Sequence, residues 1–252
     1  MLRSTLSLAA LVALTAGISF GGPCVAGTVA DYQALGAAGC TITVGSRSVL
    51  FNDFSFVQNA SGPTTGGSST LLNLAPIFTA NTAGFEITPI GTFSAGATGV
   101  NDFELIFVAS IVGGGNSIIG LNDSITGSAG ASNVGGGTPG ADTLLEDFCR
   151  GGSLPPGSCP SGQGGTLVDF LSITGPASNL KVSHTNSFTG TNALSILKDV
   201  QLSGNNGAVN SSVTDITNVV VLTANPEPST SLLVATALLG LGIFLKVRSR
   251  RT

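Results

Sequence analysis

Few residues in this chain could do catalytic chemistry, and they are scattered. His184 is the only histidine and lies in the stretch KVSHTNS, beside Ser183 and Ser187. A hydrolytic triad needs such a base close to a nucleophile, but no GxSxG motif presents a serine for attack. A lone histidine in a strand-like polar stretch is more often structural, so a secreted hydrolase centred on His184 ranks last among the functions considered.

Two pairs of carboxylates suggest a second kind of site. Asp102 and Glu104 are two positions apart, which places both on one face of a strand and could suit Ca²⁺. Glu146 and Asp147 are adjacent. A glycosidase needs two carboxylates across a cleft, usually beside aromatic platforms for the sugar, whereas this chain has no Trp and one Tyr. Solvated surface is the commoner role for such pairs.

Composition argues against nucleic-acid, phosphate and metal binding. Between Thr28 and Ala224, 12 acidic residues stand against four basic ones, so no basic stripe is available to follow phosphates. The stretch GGGNSIIG (113–120) lacks the Gly-Lys-Ser/Thr ending of a phosphate loop. One histidine and a C-x9-C spacing do not make a zinc site. We therefore predict no metal, no cofactor and no nucleic-acid partner.

Short β-strands are expected to position these residues. Alternating or β-branched runs such as RSVLFNDFSFVQ, NDFELIFVASIV and VTDITNVVVLT recur between clusters of Gly, Asn, Ser and Pro. No segment of 12 or more residues between Thr28 and Ala224 keeps a helical period. The pattern predicts an all-β ectodomain over residues 28–224, folded as an antiparallel, jelly-roll-like β-sandwich.

Three local features of this ectodomain carry specific expectations. Alternation along RSVLFNDFSFVQ places Phe51 and Asp53 on the same side of their strand. Asn206-Gly207, in SGNNGAVNSS, predicts a hairpin between the last two strands. The glycine-rich stretch from Gly127 to Asp142 predicts a flexible loop.

The N-terminus has the three parts of a secretory signal peptide. Arg3 precedes the apolar run from Leu6 to Phe20, and small residues follow at Val25-Ala26-Gly27. We place the cleavage after Ala26 or Gly27, so residues 1–27 form the signal peptide. The Sec translocon and signal peptidase are the partners that this segment implies.

Export determines what is expected of the four cysteines. Cys24 leaves with the signal peptide, and the other three meet an oxidising compartment. Cys149 and Cys159 flank RGGSLPPGS, whose Pro-Pro-Gly turn could bring them together, and we predict a disulfide between them. Cys40 is then left over, either as a small buried hydrophobe or as a competitor for one of the other two.

The end of the chain predicts a membrane segment. The run from Ser229 to Leu245 contains no charged residue, and at ~1.5 Å per residue a helix over it would span about 25 Å, which is short but sufficient for a bilayer core. The basic residues that follow favour a cytoplasmic end and a stop to translocation: Lys246, Arg248, Arg250 and Arg251. The ectodomain is therefore expected outside the inner membrane.

The sequence NPEPST, the apolar run and KVRSRR together resemble the PEP-CTERM sorting signal of Gram-negative bacteria. The resemblance implies processing by an exosortase, a membrane transpeptidase-like enzyme, with Pro226, Glu227 and Pro228 as recognition residues in a sorting signal over 225–252. The middle of the chain also resembles a recurrent ectodomain of PEP-CTERM proteins that has no assigned activity. The pieces that carry this second resemblance are DYQALGAAGCTI, FNDFSF, DFCRGGSLPPGSCPSG and SILKDVQLSG.

These observations favour an exported protein of the cell surface or extracellular matrix, without catalytic activity. Its C-terminal helix would anchor it transiently in the inner membrane until exosortase acts on the sorting signal. The alternative from another class is a secreted module that binds carbohydrate or Ca²⁺, with exopolysaccharide as a partner.

Overall fold

Strands make up almost all of the regular structure. The computed structural model describes residues 21–96, 98–113, 117–129, 141–150, 159, 171–174, 180–204 and 211–223. Its elements in chain order are β1 (Gly27–Thr28), α1 (Val29–Ala34), a 3-10 helix (Gly36–Ala38), β2 (Cys40–Val44), β3 (Arg47–Ser61), β4 (Thr64–Thr65), β5 (Leu72–Phe78), β6 (Thr82–Pro89), β7 (Phe93–Ala95), β8 (Val100–Ile111), β9 (Ile118–Ala129), β10 (Ala141–Arg150), β11 (Leu171–Thr174), β12 (Leu180–Thr191), β13 (Ala193–Ser203) and β14 (Ser211–Leu222).

The described strands form two antiparallel sheets. The six-stranded sheet has the order β11-β10-β13-β8-β3-β2. In the eight-stranded sheet, β14 pairs with β6 and β7 along one edge and with β9 along the other, while β1 and β5 extend the sheet beyond β6, β4 beyond β7, and β12 beyond β9. Buried residues of both sheets belong to one hydrophobic core. The predicted antiparallel β-sandwich is therefore confirmed, while its jelly-roll-like connectivity stays a prediction.

A β-bulge in β3 changes the predicted side-chain pattern. Asp53, expected on the side of Phe51, has a φ of 55° and is exposed, and the pairing with β8 shifts between Asn52 and Ser55. The extra residue lets Phe51 and Phe54 both enter the core. Aspartate tolerates this left-handed conformation better than most residues, because its short polar side chain can hydrogen-bond locally.

The predicted hairpin between the last two strands is wrong. β13 pairs with β8 and β10 in the six-stranded sheet, whereas β14 pairs with β6, β7 and β9 in the eight-stranded sheet. The connection therefore crosses from one sheet to the other, and Asn206-Gly207 lies outside the described residues. A turn signal predicts that the chain reverses. Which strands pair is decided by the need to bury the inner face of each sheet against the other.

The glycine-rich stretch expected as a loop is partly strand. β9 continues to Ala129 and β10 begins at Ala141, so Gly127 and Asp142 are strand residues; residues 130–140 lie outside the described part of the chain.

The segment from Gly21 to Gly27, assigned from the sequence to the signal peptide, is built into the sandwich. Cys24 is disulfide-bonded to Cys40, and Gly27 pairs with Leu74 of β5. The Tyr32 hydroxyl donates a hydrogen bond of 2.7 Å to the carbonyl of Val25. The expectation that Cys40 has no partner of its own is therefore wrong, because its partner lies in a segment that we expected to be removed.

Candidate functional site

Four polar side chains meet between the two sheets, and we call them the interior cluster. Lys198 of β13 and Glu146 of β10 are directly opposite each other in the six-stranded sheet. Asp123 of β9 and Asn218 of β14 are directly opposite each other in the eight-stranded sheet. Each of the four residues is at most 2% exposed. The cluster is therefore closed to solvent and links the two layers.

Hydrogen bonds connect all four members of the interior cluster. Lys198 Nζ donates to Asp123 Oδ2 at 3.3 Å and also donates to Glu146 Oε2. Asn218 Nδ2 donates to the same Glu146 oxygen at 2.9 Å. Glu146 Oε1 and Asn218 Oδ1 have no hydrogen-bond partner within the described structure. Glu146 Oε2 therefore bridges the lysine and the asparagine, while Asp123 contacts the amine from the other sheet.

The environment of the interior cluster disfavours charge. Burial lowers the pKa of Lys198 to about 8, against the opposing effect of the Asp123 carboxylate. One cation also faces two carboxyl groups, so the cluster carries excess negative charge if all three groups ionise. Because no diffusing substrate reaches so enclosed a site, its chemistry is confined to its own side chains.

A second buried acid lies on the same strand as Glu146. Asp142 is 0% exposed, and burial raises its pKa to about 7, with a smaller opposing effect from the Ser211 hydroxyl. Gly127 of β9 faces it, and a Cβ added at Gly127 would come within 2.9 Å of Asp142 Oδ2. Glycine at this position therefore leaves room for the carboxyl group between the sheets.

An acidic patch covers part of the outer face of the six-stranded sheet. Asp102 and Glu104 lie on this face of β8, as predicted, with Asp199 of β13 and Asp147 of β10 beside them. Burial, followed by the nearby Asp102 carboxyl, raises the pKa of Asp199 to about 7. Within the described residues, no group of three or more His, Cys, Asp or Glu side chains is arranged to hold a metal ion.

The outer face of the eight-stranded sheet is rich in hydroxyl and amide side chains. One row across it runs Ser183, Ser124, Thr217 and Glu86, on β12, β9, β14 and β6. The neighbouring rows contain Lys181, Thr126 and Asp215 on one side, and Thr185, Asn122 and Val219 on the other. A hydrogen bond with Asp215 raises the pKa of Glu86. Apart from Val219 and the buried Ser124, which is 4% exposed, these side chains can donate or accept hydrogen bonds at the surface of β12, β9 and β14.

A cavity of about 360 Å³ lies beside the N-terminal segment, bordered by Val25, Tyr32 and Leu35. Asp31 is the one charged residue of its lining, and its carboxylate accepts hydrogen bonds from the backbone and hydroxyl of Thr28 at the start of α1. The lining therefore lacks a set of converging polar groups that would recognise a polar ligand.

The structure describes some of the sites expected from the sequence. Cys149 and Cys159 are disulfide-bonded, as predicted. His184 lies exposed on β12, in register with Asp123. The sorting motif Pro226-Glu227-Pro228 and the basic residues from Lys246 to Arg251 lie outside the described residues. Among the residues that are described, no helix is both long and apolar enough to span a membrane.

Sequence reasoning missed the interior cluster, although each strand carried a signal for it. Every member occupies a core position in the alternation of its strand, between two buried apolar residues. These flanking residues are Ile196 and Val200 for Lys198, Leu144 and Phe148 for Glu146, Leu121 and Ile125 for Asp123, and Ile216 and Val220 for Asn218. A polar residue in such a position predicts a buried polar partner.

Comparisons with known proteins do not assign a family. No protein-family model and no curated protein matches the sequence. Among solved structures, TmCBM61 in complex with beta-1,4-galactotriose aligns at 10% identity and a TM-score of 0.30, over 64% of this chain and 86% of that one. The CBM22-1 xylan-binding domain of Paenibacillus barcinonensis Xyn10C aligns at 10% identity and a TM-score of 0.25, over 82% and 99%. The enzymatically active domain of bacteriophage CBA120 tailspike protein 4 aligns at 10% identity and a TM-score of 0.25, over 68% of this chain and 19% of that one. Alignments this loose carry no inference about a ligand.

Proposed function

We propose that the protein is an exported, non-catalytic β-sandwich of the cell surface or extracellular matrix. The observation that carries the proposal is the pair of disulfides, Cys24–Cys40 and Cys149–Cys159, which are typical of proteins in oxidising compartments outside the cytosol. Both lie within one continuous sandwich, and its polar cluster is shut off from any substrate.

Sorting by exosortase is the finer part of the proposal, and its support is the sequence. Pro226-Glu227-Pro228 would lie just outside the inner membrane, ahead of an apolar helix and a cytoplasmic basic end. The protein would be exported by the Sec translocon, held transiently by this helix, and then released. At the other end, signal peptidase would cut before Gly21, because a cut after Ala26 or Gly27 removes Cys24 from the sandwich.

Mass spectrometry of the matrix-associated protein tests both cuts. We expect the mature chain to begin at or before Gly21 and to lack the C-terminal tail that ends at Thr252. Replacement of Pro226, Glu227 and Pro228 by alanine should leave export and the N-terminal cut intact but block release from the inner membrane. These substitutions follow the end of β14 at Leu222, so the strands of the sandwich keep their sequence. A mature form that retains Thr252 would contradict the sorting proposal.

Polysaccharide binding is the second candidate function, and the outer face of the eight-stranded sheet favours it. Its rows of hydroxyl and amide side chains could hydrogen-bond a sugar chain laid across β12, β9 and β14. We expect isothermal titration calorimetry with the producer's exopolysaccharide to detect binding of about micromolar Kd. Thr185→Val and Thr217→Val together should weaken it, whereas Thr143→Val, on the outer face of the other sheet, should not. Equal binding by the wild-type protein, the double variant and Thr143→Val would contradict this location.

A further inference from the structure

The interior cluster brings together the groups that an amide-forming reaction needs. An amine, a carboxyl group facing it and a second carboxyl group able to carry a proton are held between the sheets, away from water. Holding reactants in contact replaces an unfavourable encounter between molecules with a reaction inside one molecule. Exclusion of water also protects an amide product, once formed, from hydrolysis.

We propose that Lys198 and Asp123 condense into an intramolecular isopeptide bond that joins β13 of one sheet to β9 of the other. The neutral Lys198 amine attacks Cγ of the protonated Asp123 carboxyl group. A bond forms between Nζ and Cγ, and the bond between Cγ and the hydroxyl oxygen breaks. Glu146 takes the proton from Nζ and passes it to the departing oxygen, which leaves as water. Nothing is oxidised or reduced, and no co-reactant is needed.

The contacts assign different roles to the two carboxyl groups. Asp123 Oδ2 lies 3.3 Å from Lys198 Nζ, so the carboxyl carbon is close to the nucleophile. Glu146 Oε2 accepts hydrogen bonds from both Lys198 and Asn218, which is the position of a group that receives and returns a proton. Asn218 holds Glu146 in that position from the opposite sheet.

The electrostatics of the cluster favour the neutral groups from which the amide forms. Burial lowers the pKa of Lys198 to about 8, so the neutral amine forms at a lower pH than it does in an exposed lysine. The amide removes one positive and one negative charge from the interior, where each is costly to desolvate.

Such a bond would add a cross-link that reduction does not break. Lys198 and Asp123 are 75 positions apart, and their strands lie in different sheets. The two disulfides, by contrast, join residues only 16 and 10 positions apart. The isopeptide would therefore connect the two layers directly, in a protein whose disulfides connect near neighbours in the sequence.

Mass spectrometry of the purified mature protein, after reduction of its disulfides, tests the proposal. The intact mass should be lower by one water than the mass calculated from the mature sequence. Tandem spectra after chymotrypsin digestion should show the peptide of Lys198 joined to the peptide of Asp123, and trypsin should not cut after Lys198. Glu146→Gln should restore the full mass, while Glu104→Gln on the outer face should keep the cross-link.

Three results would overturn the proposal. Each is measured on the wild-type protein, so the test does not depend on whether Glu146→Gln folds. A full intact mass with normal tryptic cleavage after Lys198 would show that the cluster stays ionic. Loss of ammonia, mapped to a link between Lys198 and Asn218, would show a different acceptor. Loss of water mapped to Glu146, or elsewhere in the chain, would show that Asp123 does not react.

Discussion

The sandwich joins its two sheets in two different ways. In the aromatic region, which comprises Tyr32, Phe51, Phe54, Phe85 and Phe107, the ring centroids of neighbouring pairs are 4.9 to 6.2 Å apart. In the interior cluster, polar groups face one another instead. Apolar packing tolerates exchanges of similar volume, whereas buried charges are stable only while each partner is present. One part of the core therefore depends on volume, and the other depends on the identity of each residue.

The two disulfides lie in different parts of the structure. Cys40 belongs to the same buried core as Tyr32, and Cys24 packs against that core. Cys149 lies on β10, three residues beyond Glu146, so its side chain is on the opposite face of the strand from the interior cluster. Of the two bonds, only Cys24–Cys40 therefore adjoins the aromatic region.

The largest expected effect comes from removing the cation of the interior cluster. We expect Lys198→Met to lower the free energy of unfolding by about 3–5 kcal/mol, because Asp123 and Glu146 are left buried without their partner. Urea denaturation measures the loss. Lys181→Met, at an exposed position on β12, is the matched control and should change stability by less than about 0.5 kcal/mol. Similar small losses in both variants would remove the distinction between the regions.

The two disulfides should differ in where their loss is felt. Replacing both cysteines of either pair by alanine should cost about 2.5–3 kcal/mol in the chain-entropy model. Tyr32 is the only tyrosine, and the chain has no Trp, so tyrosine fluorescence reports on the aromatic region. Loss of Cys24–Cys40 should change that signal, because Tyr32 hydrogen-bonds Val25 in the segment that this bond holds. Loss of Cys149–Cys159 should leave the tyrosine fluorescence unchanged. An equal change in fluorescence after loss of either disulfide would contradict this difference.

Buried acid in the polar part of the core should make stability depend on pH. The pKa of Asp142 is about 7 in the folded protein and about 3.9 in an unfolded chain. Between these values the folded state binds more protons, so its stability falls as pH rises from about 4 to about 7, by up to ~1.4 kcal/mol per pH unit. Asp142→Asn should reduce that slope in urea denaturation, whereas Asp53→Asn at the exposed bulge should not. An unchanged slope in Asp142→Asn would show that Asp142 ionises normally.

The smallest effect is expected from a conservative change in the apolar part of the core. Ile87 is 1% exposed on β6, two residues from Phe85. Ile87→Leu should cost less than about 1.5 kcal/mol, because neighbouring apolar groups can repack around a side chain of the same volume. Asp123→Asn, an equally conservative change in the interior cluster, should cost more, since it replaces the carboxyl group that contacts Lys198 with an amide. A larger loss from Ile87→Leu would reverse the comparison.

Local patterns were sufficient for the fold class and for one disulfide. Alternation along β8 marks Phe103, Leu105 and Phe107 as core residues without knowledge of any partner strand. Cys149 and Cys159 are close in sequence and the residues between them include the turn signal Pro-Pro-Gly, so their pairing was also predictable. Asp53 was misplaced because a bulge depends on how β3 meets β8, which alternation does not describe.

The sequence by itself determined that the chain forms strands with one apolar face, because side chains of a strand alternate between two faces whatever lies beside it. Lys198 stands at a core position of this alternation, between the buried Ile196 and Val200. Only the tertiary structure decided what that lysine meets, since its partners Glu146 and Asp123 are 52 and 75 positions away and reach it from two different sheets. The same holds for Cys24, whose partner became clear only when Gly21 to Gly27 were seen within the sandwich. These neighbours are selected when the inner faces of the two sheets pack against each other, and that packing involves the whole sandwich at once.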